Sequence, residues 1–175
     1  MPVTRRHFLL SLRVMTFTAL SIISLILSLA AVVAMFVPRL PAAIAAFAAL
    51  VCAHFGGALY INEKILIFWG VATVIVLGLR MLQPKAIVLA KGGQAYVAVA
   101  TIAGTLLGYT VAATAATIII GGAIGAFIGA LAYMRTPASP QLPLASQSFV
   151  EFLSAKGLPA LVTASMVAIT IASQI

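Results

Sequence analysis

The chain has 175 residues, of which 64% are hydrophobic and only 7% are charged, with a formal net charge of +8. Soluble domains carry about 25% charged residues, so this composition excludes a soluble globular protein and predicts an integral membrane protein. The Lys and Arg residues are scattered near the ends of apolar segments rather than gathered on one folded face. That pattern favours membrane lipids over nucleic acid as the partner of the positive charge.

The first apolar segment, residues 14–37, is long enough to cross a membrane as a helix. It follows the stretch "TRRHFLLSL" (residues 4–12), which is similar to a twin-arginine export signal. The length of the apolar run instead favours a membrane helix with a basic flank, and such a flank predicts a cytoplasmic N-terminus. Three serines share one face of this helix, as is typical of helix contacts in membranes: Ser21, Ser24 and Ser28.

Two further segments follow, an alanine-rich one at residues 42–61 and another at residues 65–82. Positive charges collect on the cytoplasmic side of membrane proteins. With the N-terminus inside, a re-entrant segment 42–61 places eight of the ten Lys and Arg residues inside and leaves Arg39 and Lys64 outside. Full crossing by all segments with the N-terminus outside is the alternative, with six cations inside and four outside. The charge distribution therefore favours the re-entrant segment.

Residues 95–134 contain no charged side chain, and as one helix they would be about 60 Å long, twice the thickness of the hydrocarbon core. We therefore predict two helices, 95–111 and 116–134, folded back on each other. Lipid provides no hydrophobic drive for helix pairing, so close backbone contact between small residues must supply it. A glycine-zipper hairpin is predicted, packed through Gly104, Gly108, Gly121, Gly125 and Gly129. A second row of small residues leaves a face for a third helix or a second protomer.

The C-terminal part contains a proline-rich linker at 135–143, a short amphipathic segment at 146–157 and an apolar segment at 158–175. The amphipathic segment is predicted to be an interfacial helix, and the last segment a membrane helix. Together the segments predict a single integral membrane domain over residues 1–175. The fold class is all-α, a polytopic membrane helix bundle with five to six membrane segments.

Three stretches occur in a characteristic order: "VPRLPAAIAAFAALVCAHFGG" (37–57), "LAKGGQAYVAVATIAGTLLGYT" (89–110) and "IIIGGAIGAFIGALAY" (118–133). Their order resembles that of a bacterial family of small glycine-zipper integral membrane proteins, which is catalogued as a domain of unknown function. The resemblance covers about residues 20–175. It implies a location in the bacterial inner membrane and implies no activity.

Chemistry inside a membrane needs ionisable or nucleophilic groups, and the apolar segments contain almost none. His54 is the one such residue at depth and the weak candidate for binding a cofactor. A lone histidine is more often a hydrogen-bonded structural residue, and no second ligand stands near it in sequence to form a metal site. Paired carboxylates, a Ser-His-Asp set and a phosphate loop are missing from the sequence. We expect no enzyme activity, no catalytic residue, no cofactor and no metal.

The small-residue faces favour a structural or accessory subunit that packs against a membrane-protein partner or against copies of itself. The first alternative is a transporter or flippase of a lipid or a small apolar solute. Its polar path would have to be lined by His54 and by Thr101, Thr105, Thr110, Thr114 and Thr117. The second alternative is a holin-like oligomer.

Overall fold

The computed structural model describes residues 3–37, 40–57, 61–83, 92–137 and 147–174, and all the regular structure in these ranges is helical. Five helical stretches are long and apolar enough to cross a membrane. The predicted all-α membrane bundle is therefore confirmed. The helices are α1 (Val3–Met35), α2 (Ala42–Phe55), α3 (Glu63–Leu82), α4 (Gln94–Val111), α5 (Ala115–Met134), α6 (Gln147–Phe152) and α7 (Leu158–Ala172).

Contacts between helix termini define one end of the bundle. Arg80, in the last turn of α3, donates from Nη1 to the Leu40 carbonyl just before α2, at 3.2 Å. Gln94, the first residue of α4, donates from Nε2 to the Met35 carbonyl at the end of α1, at 2.6 Å. We call this the basic end, because Arg80 and Lys156 lie together there.

The opposite end, here called the far end, is defined by contacts with the first half of the α1 span. Gly56, which follows α2, lies beside Ser21, since an added Cβ would be 3.1 Å from its Oγ. Gln174, after α7, donates from Nε2 to the Ser24 Oγ at 2.9 Å. The chain therefore enters α2 at the basic end and leaves it at the far end. The helix α2 is a shorter apolar helix and not one of the five long candidate spans, so the re-entrant arrangement of residues 42–61 stays a prediction.

An alanine face explains the direction of α2. Ala42, Ala46, Ala49 and Ala53 are all buried and recur at helical spacing, so they form one stripe along the helix. The Ser24 Oγ of α1 donates to the Ala49 carbonyl at 2.9 Å, which requires a close approach of the two helices. Loop charges alone do not contain this packing information.

Two helices begin earlier than predicted. The first membrane helix was expected at 14–37, but α1 begins at Val3, and its 33 residues make it about 50 Å long. Only Met15–Met35 has the hydropathy of a span, so the helix continues beyond the apolar segment. Expected at 65–82, α3 begins at Glu63, because the Asn62 Oδ1 accepts a hydrogen bond from the Ile65 N–H at 3.0 Å and caps the helix.

The last membrane segment is one continuous helical run, Gln147–Ala172, rather than an interfacial helix at 146–157 followed by a separate span. A π-helical turn at Leu153–Gly157 joins α6 to α7. Pro159 has no N–H, and in a regular helix its ring would collide with the carbonyl of Ala155, so a wider turn accommodates it. The run is central, since its span is 56% buried against 17–33% for the other four long spans. The linker predicted at 135–143 lies mostly outside the described residues.

Candidate functional site

The helices α4 and α5 form a hairpin in which glycines bring the two backbones into contact. An added Cβ at Gly104 would lie 3.0 Å from the Gly125 Cα, and one at Gly121 would lie 3.0 Å from the Gly108 Cα. Gly129 also lies against the α4 backbone. The structure thus places all five predicted glycines between these two helices of the same chain. Their inner surfaces are occupied by that contact, and only the outer side of the hairpin is left for another molecule.

The outer side of the glycine hairpin is an open apolar groove with a volume of about 480 Å³. Small residues such as Ala103 and Gly104 form its floor, and large side chains form its walls. Among the wall residues, Leu107, Ile124 and Ile128 are more than half exposed. The groove can accept only an apolar object, such as a lipid chain or a helix.

His54 lies at the far end and closes the turn after α2. Its Nδ1 is 2.7 Å from the Ile61 carbonyl oxygen, so Nδ1 carries the proton and donates. The ring is half-buried and lies edge-to-face against Phe55, with 5.4 Å between the ring centroids. This geometry favours a structural role for the histidine over a ligand-binding one.

The five threonines considered for a polar path bond locally instead. The hydroxyls of Thr101, Thr105 and Thr110 donate to carbonyl oxygens of their own helix at 2.6–2.8 Å. Thr114 caps α5 by accepting a hydrogen bond from the Thr117 N–H at 3.3 Å. The structure therefore does not bring these residues together with His54 to line a common cavity.

A small cavity at the basic end, which sequence reasoning missed, combines two cations. It has a volume of about 40 Å³ and is lined by Arg80 from α3, Lys156 from the π-helical turn and Gln94 from α4. No carboxylate is among the described residues that line it. We call this the basic cavity. Its lining has a net positive charge.

The helical spacing of α6 directs Lys156 inward. Phe149 and Phe152 are buried, and Lys156 lies seven and four positions after them on the same face. Only 4% of the Lys156 residue is exposed, which is rare for a lysine. Nearby, the Gln83 Nε2 donates to the Ser154 Oγ at 2.6 Å and ties the end of α3 to the same turn. The cation is therefore held in place by packing on several sides.

Two helix N-termini add to the positive potential of the basic cavity. No side chain caps α2, which follows Pro41, or α4, which follows Gly93, and the first residues of both helices line the cavity. The helix dipole gives such termini a partial positive charge. The buried Gln94 Oε1 has no hydrogen-bond partner among the described residues and can accept from a hydroxyl or a water.

The entry into α4 is fixed by aromatic packing. Gly93 has a φ of +75°, and an added Cβ there would lie 2.9 Å from the Phe152 Cε2. Tyr133 stacks on Phe152 with 5.5 Å between ring centroids and 13° between ring planes. These contacts hold the first turn of α4, and with it Gln94, at a defined position beside α6.

The sequence contains a signal for only one of the two cations. Lys156 shares the helical spacing of two phenylalanines, which indicates an inward direction, whereas Arg80 has the position of any helix-terminal cation. Sequence reasoning used both residues only to count charges on the two sides of the membrane. The cavity could not be found in that way, because it is assembled from five separate helical runs.

The comparisons with known proteins found no matching family model, no matching curated protein and no matching solved structure. The resemblance to the bacterial glycine-zipper family stays a prediction from the residues quoted above.

Proposed function

We propose that the chain is a non-enzymatic accessory subunit of the bacterial inner membrane that binds one apolar helix of a partner membrane protein. The observation that carries this proposal is the groove on the outer side of the glycine hairpin, about 480 Å³ in volume. Small residues on its floor permit close approach, which is the main source of helix affinity in lipid. The exposed side chains of Leu107, Ile124 and Ile128 supply walls that a helix can fill.

The alternating helices support a proposed orientation in the membrane. The positive-inside rule favours a cytoplasmic basic end, and α1 then begins on the outer side. This proposal differs from the expectation of a cytoplasmic N-terminus, which rested on the basic flank of the first helix. Among the described residues, Arg80, Arg135 and Lys156 lie at the basic end.

Filling the groove tests the proposed function. Ala103 is exposed on its floor, so Ala103→Phe blocks the groove without entering the contact between α4 and α5. Ala30, exposed on α1, provides the matched control Ala30→Phe. We expect a stoichiometric partner to co-purify at native expression with the wild type and with the Ala30→Phe variant, and to be lost from Ala103→Phe. Retention of the same partner by Ala103→Phe would contradict the proposal.

A lipid transporter is the second candidate, and one observation favours it. The Ser28, Thr163, Ser165 and Thr170 hydroxyls are buried without a hydrogen-bond partner among the described residues, and three of the four belong to the central α7. Buried hydroxyls of this kind can serve a passing polar group.

Vesicles distinguish the candidates. Fluorescent lipid should cross vesicles that contain a transporter faster than protein-free vesicles. An accessory subunit should leave the crossing rate unchanged. The holin-like alternative would release a trapped dye from the same vesicles.

A further inference from the structure

Two buried hydroxyls, those of Ser28 on α1 and Thr170 on α7, have no hydrogen-bond partner among the described residues. Ser28 is 2% exposed and Thr170 is 0% exposed. The buried hydroxyls of Thr73 and Thr101, in contrast, donate to carbonyl oxygens of their own helices at 2.8 and 2.6 Å. An unpaired buried hydroxyl is costly, and water commonly pairs with such groups inside proteins.

The two hydroxyls lie at the same level of the bundle. The helix α1 runs from the far end to the basic end, and α7 runs the opposite way. They are joined at the far end, where the Gln174 Nε2 donates to the Ser24 Oγ at 2.9 Å. Ser28 lies four residues after Ser24, and Thr170 lies four residues before Gln174. Each hydroxyl is therefore about one helical turn from this bond, on the side of its helix that faces the other.

Small side chains accompany the two hydroxyls at this level. The Ser24 Oγ donates to the Ala49 carbonyl of α2, and Ala46, three residues nearer the basic end, is 0% exposed on the same face. Farther toward the basic end, Ala31 of α1 and Val167 of α7 belong to one core cluster. A serine, an alanine and a threonine thus lie at one level, and a single water needs only about 10–15 Å³.

We propose that one water molecule binds between α1 and α7 and bridges the Ser28 Oγ and the Thr170 Oγ1. A hydroxyl both donates and accepts, so the water can donate to one side chain and accept from the other. A buried water needs two to four polar partners, and the two hydroxyls supply that minimum. A cation fits less well, because both groups are neutral and a charge in the apolar interior is costly. The bridge holds the central helix α7 in register with α1.

Thermal unfolding of the full-length protein in detergent micelles tests whether the two hydroxyls act together. Ser28→Ala and Thr170→Val each remove a hydroxyl at nearly constant volume. We expect each substitution to lower the unfolding temperature, because it leaves the water with too few partners and the other hydroxyl unpaired. The double variant should unfold at no lower temperature than the less stable single variant, since the second hydroxyl no longer has a partner to lose.

Thr101→Val is the matched control, because its hydroxyl is equally buried but bonds within α4. Combined with Ser28→Ala, it should lower the unfolding temperature additively. An unchanged or higher unfolding temperature in Ser28→Ala or Thr170→Val would show that the hydroxyls are dry and would overturn the proposal. Additive losses in the double variant of Ser28 and Thr170 would overturn it as well.

A direct hydrogen bond between the two hydroxyls would give the same coupling, so the water itself is observed by nuclear magnetic resonance. The measurement is the nuclear Overhauser transfer from water to the methyl groups of labelled threonines. We expect transfer to the Thr170 methyl group, none to that of Thr101, and loss of the Thr170 signal in Ser28→Ala. Equal transfer to both threonines, no transfer to Thr170, or a Thr170 signal that persists in Ser28→Ala would overturn the proposal.

Discussion

At the scale of single residues, Gly125 shows how closely the backbones of α4 and α5 approach each other. An added Cβ would fall on the backbone of Ala100, only 2.9 Å from its carbonyl carbon, and backbone cannot move aside as a side chain can. Gly78 on α3 provides the opposite case, because an added Cβ there meets nothing within 4 Å. Both glycines lie within long apolar helices, so a substitution changes helix propensity equally at each. A difference between the two variants therefore measures the close backbone contact.

We expect Gly125→Ala to destabilise the monomer by about 1–3 kcal/mol through overpacking, and Gly125→Leu to prevent the hairpin from closing. Gly78→Ala should be neutral or slightly stabilising, since alanine favours a helix. Reversible unfolding in mixed detergent micelles measures both. If Gly125→Leu leaves the monomer folded and only an assembly is lost, the glycines serve association between chains and not the fold.

Part of the glycine hairpin formed by α4 and α5 could be predicted from the sequence. Glycine at every fourth position, together with forty uncharged residues that cannot form one membrane helix, is enough to predict two facing helices. The pairing of Gly104 with Gly125 and of Gly108 with Gly121 depends on the length of the turn at residues 112–114. The basic cavity could not be predicted, because its cations come from helices whose mutual positions no sequence period encodes.

At the scale of elements, the start of α4 depends on one backbone conformation. Gly93 has a φ of +75° and faces the Phe152 ring, whereas Gly57 has a φ of +83° with only ordinary contact, at 3.5 Å, to Phe17. Alanine is strained at both positions, and at Gly93 it also collides with a packed ring.

We expect Gly57→Ala to lower the free energy of unfolding by about 1–3 kcal/mol, from backbone strain alone. Gly93→Ala should lower it by more, because the added methyl group also collides with the Phe152 ring. Amide hydrogen exchange should show faster opening of the first turn of α4 in Gly93→Ala. Equal effects of the two substitutions would mean that the Phe152 contact does not hold this turn.

Two elements show why helix directions are harder to predict than helix positions. Alanine spacing indicates that α2 is buried, but only packing against α1 shows that it crosses from one end to the other. Likewise, Pro159 indicates that the last segment is not a regular α-helix throughout. It does not distinguish an interrupted helix from a continuous one with a wider turn. The central position of α7 inside the bundle favours continuity, because an interrupted helix would leave backbone groups unpaired in an apolar interior.

At the scale of the whole molecule, the alternating helices determine which loops share a side of the membrane. Lys64 is exposed at the far end and Arg135 is exposed at the basic end. Cys52 is the only cysteine, so Cys52→Ser gives a background for single labels. We expect Lys64→Cys and Arg135→Cys to react from opposite sides, with Arg135→Cys accessible from the cytoplasm. Labelling of both from one side would contradict the arrangement of α2 and α3.

The central claim is that the outer groove of the glycine hairpin binds a helix of another membrane protein. In the Cys52→Ser background, Leu107→Cys places a thiol on the wall of the groove, and Leu29→Cys places one on the exposed side of α1. Thiol-directed crosslinking in native membranes is the direct measurement. We expect one defined adduct with a different protein from Leu107→Cys and none from Leu29→Cys. The same adduct from both positions, or an adduct only between copies of this chain, would contradict the claim.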